Sequence, residues 1–211
     1  MTTVRGNREQ RRRDVLEAAA GLLEESGWDG FSIREIAARA GVSGGAVYQW
    51  FSGKNEIWAH LQTTRYIDDT KTIGQWPDDL APIETVHRIV SLIAQSHADI
   101  GRHRFSLEAV LDGRVPDYLI ELMNARHLLG AAVADRVRSI NAADGEPENQ
   151  LARLAWLWAT AEGVGDHLVD ARFEAVGVQP KDFMDTTAEC VLAGLRAHSP
   201  VTVDLPAMGD D

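Results

Sequence analysis

The residues best suited to chemistry in this sequence lie together near its front. Ser43, Gly44, Gly45, Ala46, Tyr48, Gln49 and Trp50 fall within eight positions, with Val47 the one branched aliphatic residue among them. The Gln49 amide can make two hydrogen bonds to the edge of adenine, or equally one to phosphate or water. Ala46 offers a methyl that can meet a thymine methyl. Five arginines (Arg5, Arg8, Arg11, Arg12 and Arg13) crowd the first 13 positions, and guanidinium groups suit phosphate. This chemistry is recognition of a nucleic acid. The arginines alone would also fit a solvated basic tail.

Nothing comparable points to catalysis or metal. The seven histidines (60, 87, 97, 103, 127, 167 and 198) show no metal-ligand spacing. Gly44-Gly45 lacks the length and context of a phosphate-binding loop. There is no nucleophile–base pair and no paired-carboxylate signature, so no cofactor is expected and the chain is not read as an enzyme. The single cysteine, Cys190, allows no internal disulfide and reads as a small core residue. No apolar run approaches the ~20 residues that cross a bilayer, and the front lacks a secretory h-region. A cytoplasmic protein is expected.

The elements that must position these residues are helices. Val15, Ala18, Ala19, Leu22 and Leu23 recur at helical spacing within residues 8–26, and Gly27 ends the pattern. Ser32-Ile33-Arg34-Glu35 is a capping box: the Ser32 hydroxyl can accept from the Glu35 N–H while the Glu35 carboxylate reaches back to Ser32. A helix of about two turns follows and ends at Gly41. Ser43 is a second N-cap, opening a short helix to about Phe51. Two short helices joined by a glycine-containing turn form a helix-turn-helix. Ala37 lets the helices approach, Gly41 can take the left-handed conformation, and Ile36 and Val47 can meet in a small core. A corner used only for packing is the other reading of this unit. A longer helix spans about Asn55 to Ile73. After the break "GQWPDDLAP", helical patterns cover residues 83–99, 103–111, 117–140, 148–173 and 180–197, and no strand is expected.

The stretch "GWDGFSIREIAARAGVSGGAVYQWFSGKNEIW" resembles the N-terminal DNA-binding region of the TetR family of bacterial transcriptional repressors. The resemblance covers roughly residues 10 to 60, and the remainder matches in architecture alone. It implies an all-α fold: an N-terminal three-helix DNA-binding domain with a helix-turn-helix, then a larger helical ligand-binding and dimerisation domain. It also implies a homodimer on a palindromic operator, released by a small effector. Ser32 and Arg34 would touch phosphate. Ser43, Gly45, Tyr48 and Gln49 would lie on the recognition helix, with Ala46 and Trp50 beside them, and Lys54 would meet the DNA backbone at the start of the next helix. Where the family often has Lys and Thr, this chain has Gly44 and Ala46, which removes a possible phosphate contact and a hydroxyl.

Charge follows this division. Residues 1–60 carry eight of the 21 basic and eight of the 32 acidic side chains, so the whole formal charge of −11 lies in residues 61–211. The expected units are residues 1–54 for DNA, 55–198 for effector and dimerisation, and a mobile tail at 199–211. Leu151 to Ala161 is apolar on nearly every side, as in a helix covered by several neighbours. With Trp158, Val191, Gly194 and Leu195 it is expected to form the dimer interface; intrachain packing of the same residues is the other reading. Leu119, Leu122, Met123, Leu129, Val133 and Val137 make a stripe with Arg126 in its middle, and Glu162 lies similarly on the next helix. Either the two charges satisfy each other, or one anchors an effector in a pocket lined by Phe105, Met123 and Trp158, with His127 at its edge. The expected effector is mostly apolar with a polar or acidic end. The alternative function is a helical small-molecule-binding or protein-interaction module with weakened DNA binding.

Overall fold

The computed structural model describes residues 4–100, 115–140, 147–169 and 177–196, and among these every regular element is helical. In chain order they are α1 (Val4–Ser26), a 3-10 turn (Trp28–Gly30), α2 (Ile33–Arg39), α3 (Gly44–Tyr48), α4 (Lys54–Gly74), α5 (Pro82–Ile100), α6 (Asp117–Ile140), α7 (Pro147–Val169) and α8 (Pro180–Arg196). Phe105, the helix expected at 103–111 and the tail at 199–211 lie outside the described residues. Helix α3 is shorter than expected. Its α-helical pattern stops at Tyr48 because Gln49 and Trp50 donate to the carbonyls of Ala46 and Val47, tightening the last turn.

Two glycines shape the front. Gly27 (φ 68°) ends α1 and Gly41 (φ 65°) separates α2 from α3; both values are costly for a residue with a Cβ. The turns bring Val15, Ala19, Ile36, Val47, Phe51 and Ile57 into one buried cluster. Each large side chain among them contributes about 1.5–3 kcal/mol by leaving water. Ala37 is buried as its small size requires, and Trp58 is core.

This first core does not stop at residue 54. Trp58 and Ala59 of α4 and Leu119 and Leu122 of α6 belong to it, so the first turns of α6 rest on the DNA-binding unit. The other end of α6 is tied to α4 through Arg136. Its guanidinium donates to the carbonyls of Ile73 (3.0 Å), Trp76 (2.9 Å) and Pro77 (3.1 Å) and to the Asp78 carboxylate (3.0 Å). A guanidinium there satisfies helix-end carbonyls that α4 cannot satisfy itself.

The second core packs α5 against α7 and α8. Gly165 allows the α5–α7 crossing: a Cβ there would lie 2.6 Å from the Ala94 carbonyl and 2.9 Å from the His97 Cβ. Helix α8 lays Ala188, Val191 and Leu195 into this core, each at most 1% exposed. That corrects the expected interface, since Val191 and Leu195 are consumed by intrachain packing. The outward face of α8 carries Glu189, Cys190 and Ala193, so Cys190 is exposed rather than core. Beside it, Ala152, Trp156 and Ala159 of α7 are also outward-facing. Trp156 lies against Gly194, where a Cβ would come within 2.7 Å of the indole.

Candidate nucleic-acid interface and the groove behind it

The capping box of α2 is formed. Ser32 Oγ accepts from the Glu35 N–H (3.3 Å) and donates to Glu35 Oε2 (2.7 Å), which also accepts from the Ser32 N–H (2.8 Å). These bonds hold the Glu35 carboxyl below the usual glutamate range. They also occupy the hydroxyl hydrogen and the backbone N–H of Ser32, which leaves it no donor for phosphate. Ser32 is the N-cap of α2. Arg34 lies on the first turn of α2. Ser43 Oγ accepts from the Ala46 N–H (3.1 Å), and its own hydrogen stays available.

Val47 is the only buried residue of α3. Tyr48, Gln49 and Gly45 face solvent, Tyr48 at 60% exposure. Trp50 is half-buried against the core and borders an open groove of about 720 Å³, whose walls are Arg8 and Arg11 of α1 and Gly41, Val42, Ser43, Ala46 and Gln49. The basic patch is thus divided. Arg8 and Arg11 face the groove, with Arg11 reaching the Gly41 carbonyl at 3.4 Å. Arg13 bonds Gln10 (2.7 Å), and Arg12 turns inward to His60 (2.7 Å) and the Phe51 ring (5.0 Å).

Lys54 departs furthest from its expected role. Its ammonium donates to the carbonyls of Trp28 and Phe31 and lies 4.5 and 4.0 Å from their ring centroids. Desolvation by burial pushes its pKa down. Lys54 pins the 3-10 turn to the start of α4.

Behind this unit, α6 and α7 border a groove of about 520 Å³. It is lined by Met123, Arg126, His127, Gly130, Ala131, Ala134, Leu154, Ala155 and Trp158. The buried stripe of α6 passes through Leu119, Leu122, Ala125, Leu129, Val133 and Val137, and Met123, Arg126 and His127 are exposed beside it. Arg126 and Glu162 do meet, at 3.7 Å, but with side chains 56% and 35% exposed. A pair so exposed contributes less than about 1 kcal/mol, which replaces the expected buried charge. Arg126 also lies 5.4 Å from the Trp158 ring centroid, and Trp158 Nε1 donates to Glu162 (2.7 Å).

Sequence reasoning missed the polar wall inside. A small, partly open cavity of about 20 Å³ is lined by Gln62, Tyr66, Ile93, Ser96, His97, Leu129, Trp158 and Glu162. His97 pairs with Asp166 (2.9 Å). Asp69 is 3% exposed and bonded by Arg65 (3.0 Å); burial pushes its carboxyl pKa up. The signal was present in α4, where Gln62 and Asp69 interrupt the inward face that Trp58 and Ile73 define.

The family profile of bacterial regulatory proteins, tetR family, matches residues 15–61. The HTH-type transcriptional regulator BetI of Cronobacter sakazakii is 29% identical over 104 residues, covering 48% of this chain and 50% of its own. The chain spans between 38% and 64% of the length of the first curated relatives it matches. A transcriptional regulator from Rhodococcus sp. Rha1 superposes with TM-score 0.58 at 22% identity, over 87% of this chain and 95% of its own. FadR from Bacillus subtilis, solved in complex with stearoyl-CoA, superposes with TM-score 0.59 at 14% identity, over 86% and 98%. At such identities the shared feature is the fold.

Proposed function

We propose, from a chain whose helix-turn-helix region belongs to the tetR family of bacterial regulatory proteins, that this protein is a ligand-responsive repressor acting as a homodimer on a palindromic operator. The observation that carries the DNA reading is the groove that sets Arg8 and Arg11 of α1 beside Ser43 and Gln49 of α3. It joins phosphate-seeking charge to a base-reading edge. In a two-fold dimer the recognition helices would enter successive major grooves about 34–36 Å apart. Outward-facing Trp156, Ala159 and Ala193 support a second copy covering that face of α7 and α8. No described helix is long and apolar enough to cross a membrane, and a DNA partner places the protein in the cytoplasm.

Regulation follows from α6. Its Leu119 and Leu122 share a core with Phe51 and Trp58, while its Met123 and Arg126 border the groove. A small, mostly apolar effector entering that groove would shift α6 and move the DNA-binding unit. Such a ligand lowers DNA affinity only by binding the DNA-incompetent arrangement more tightly, and about 1–3 kcal/mol of coupling suffices.

The competing reading, a helical ligand-binding module with weakened DNA binding, draws on Gly44 and the charge of −11. Selection from random duplexes followed by salt titration separates the two. A regulator yields a preferred palindrome and a steep loss of affinity with salt. Failure to enrich any duplex at low salt favours the module.

A further inference from the structure

We propose that the effector is an amphiphilic monocation. Its charged head goes to Glu162 at the face of Trp158, and its apolar body lies in the α6–α7 groove. For regulation this deepens the effector-gated reading and rests on it; for binding it stands alone.

The chain itself shows where a cation sits. The Arg126 guanidinium lies 5.4 Å from the Trp158 centroid and 3.7 Å from Glu162. A positive charge is attracted to an indole face and to a carboxylate together. Yet Arg126 is more than half exposed and its carboxylate contact is long, so it holds the place weakly. A ligand cation that brings its own apolar body can displace it, and Arg126 can swing into water on its flexible stem.

The wall behind has the matching polarity. Tyr66 meets Trp158 edge-on with centroids 6.5 Å apart and backs the indole that receives the head. Ser96 lines the small cavity at 3% exposure. Its hydroxyl lies near the Asp69 carboxylate but completes no hydrogen bond, and Asp69 Oδ2 lacks one as well. Among the described residues lining the cavity, the one cationisable group, His97, is engaged by Asp166. An anionic head would face Glu162, while Arg65, the guanidinium behind the wall, is already paired with Asp69. This reverses the acidic end expected from the sequence.

The groove supplies the apolar part. Gly130, Ala131, Ala134 and Ala155 make a floor without bulk, and about 520 Å³ falls within the ~300–1,000 Å³ of small-molecule sites.

The test is calorimetric titration of the full chain with decyltrimethylammonium, decanoate and decanol, all below micelle formation. The expected result is cation binding at least about tenfold tighter than either of the others. Glu162→Gln should weaken the cation about tenfold and leave decanol unchanged. Arg126→Met, which removes the internal competitor, should tighten cation binding several-fold. Trp158→Leu keeps an apolar wall and should weaken the cation more than decanol, so the proposal stays testable if Glu162→Gln fails to fold. Tighter decanoate binding that Arg126→Met abolishes would overturn the proposal in favour of an acid anchor. Equal affinity for all three would reduce the site to an apolar groove, and absence of cation binding would overturn it outright. Cation binding that leaves operator affinity unchanged would sink the effector-gated reading while leaving the site intact.

Discussion

Arg12 on α1 donates from Nη2 to Nε2 of His60 on α4 at 2.7 Å. This contact fixes His60 as an acceptor at Nε2 and draws one arginine of the basic front away from solvent. Burial first, and the Arg12 charge second, push the His60 pKa below its ordinary value, against the opposing pull of Glu121 and Glu56. An unfolded histidine binds its proton near pH 6.5, roughly. Below that pH the unfolded chain takes up a proton that the folded one resists, so stability falls from about pH 6.5 down to the folded pKa. Urea midpoints compared at neutral and mildly acidic pH should drop more for the native protein than for His60→Gln. Equal slopes would show that another group titrates.

Gly165 sits where α5 and α7 touch. Gly165→Ala must push a methyl against the Ala94 carbonyl (2.6 Å) and His97 Cβ (2.9 Å). The expected cost is about 1–3 kcal/mol, as for overpacking elsewhere, read from denaturant unfolding. An unchanged midpoint would mean that the crossing opens freely.

Lys54 and Arg8 should separate stability from DNA affinity. Lys54→Met removes a charge bonded to two carbonyls and should destabilise the front by about 1.5–3 kcal/mol. Arg8→Ala should leave the melting curve in place and reduce the salt slope of DNA binding by about one. Should Lys54→Met instead bind DNA weakly with an unchanged melt, the ammonium does reach phosphate.

Open space at Gly44 makes the opposite experiment possible. A Cβ added there would meet no atom within 4 Å, so Gly44→Lys fits in the first turn of α3. Replacing glycine favours the helix by about 0.5–1 kcal/mol, and the new ammonium should steepen the salt slope by about one. DNA binding by filter retention at several salt concentrations reports this. No gain would show that position 44 faces away from the duplex.

The dimer face is tested by contrast. Ala193→Glu places charge on the exposed side of α8 and should yield folded monomers in sedimentation. Val191→Glu buries an unpaired carboxylate in the intrachain core and should cost several kcal/mol and lose helix content. Folded dimers of Ala193→Glu would move the interface elsewhere.

Local signals were readable in the sequence because each depends on neighbours along the chain. The Ser32–Glu35 box, the left-handed Gly41, the Ile36–Val47 contact and the bounds of α6 are of this kind. What escaped depends on which neighbour lies across space. Periodicity marked Val191 and Leu195 as apolar but could not tell α5 from a second copy. It put Arg126 inside a stripe that actually runs through Ala125. The inward turn of Arg12 and the binding of Lys54 to Trp28 and Phe31 are tertiary contacts with no period. Gln62 and Asp69 were visible as polar breaks in the face of α4, though their meeting with Ser96 and His97 was not.

With a single buried anchor, Val47, α3 has little stake in the fold's stability. Substitutions at Gly44, Gly45, Ala46, Tyr48 and Gln49 therefore meet little selection for folding, and mutation can explore operator sequences there almost freely. The groove between α6 and α7 draws on an entirely different set of positions. On the proposed reading, lineages descended from such a chain can thus acquire a new target site without a new inducer, or a new inducer without a new target, one point change at a time.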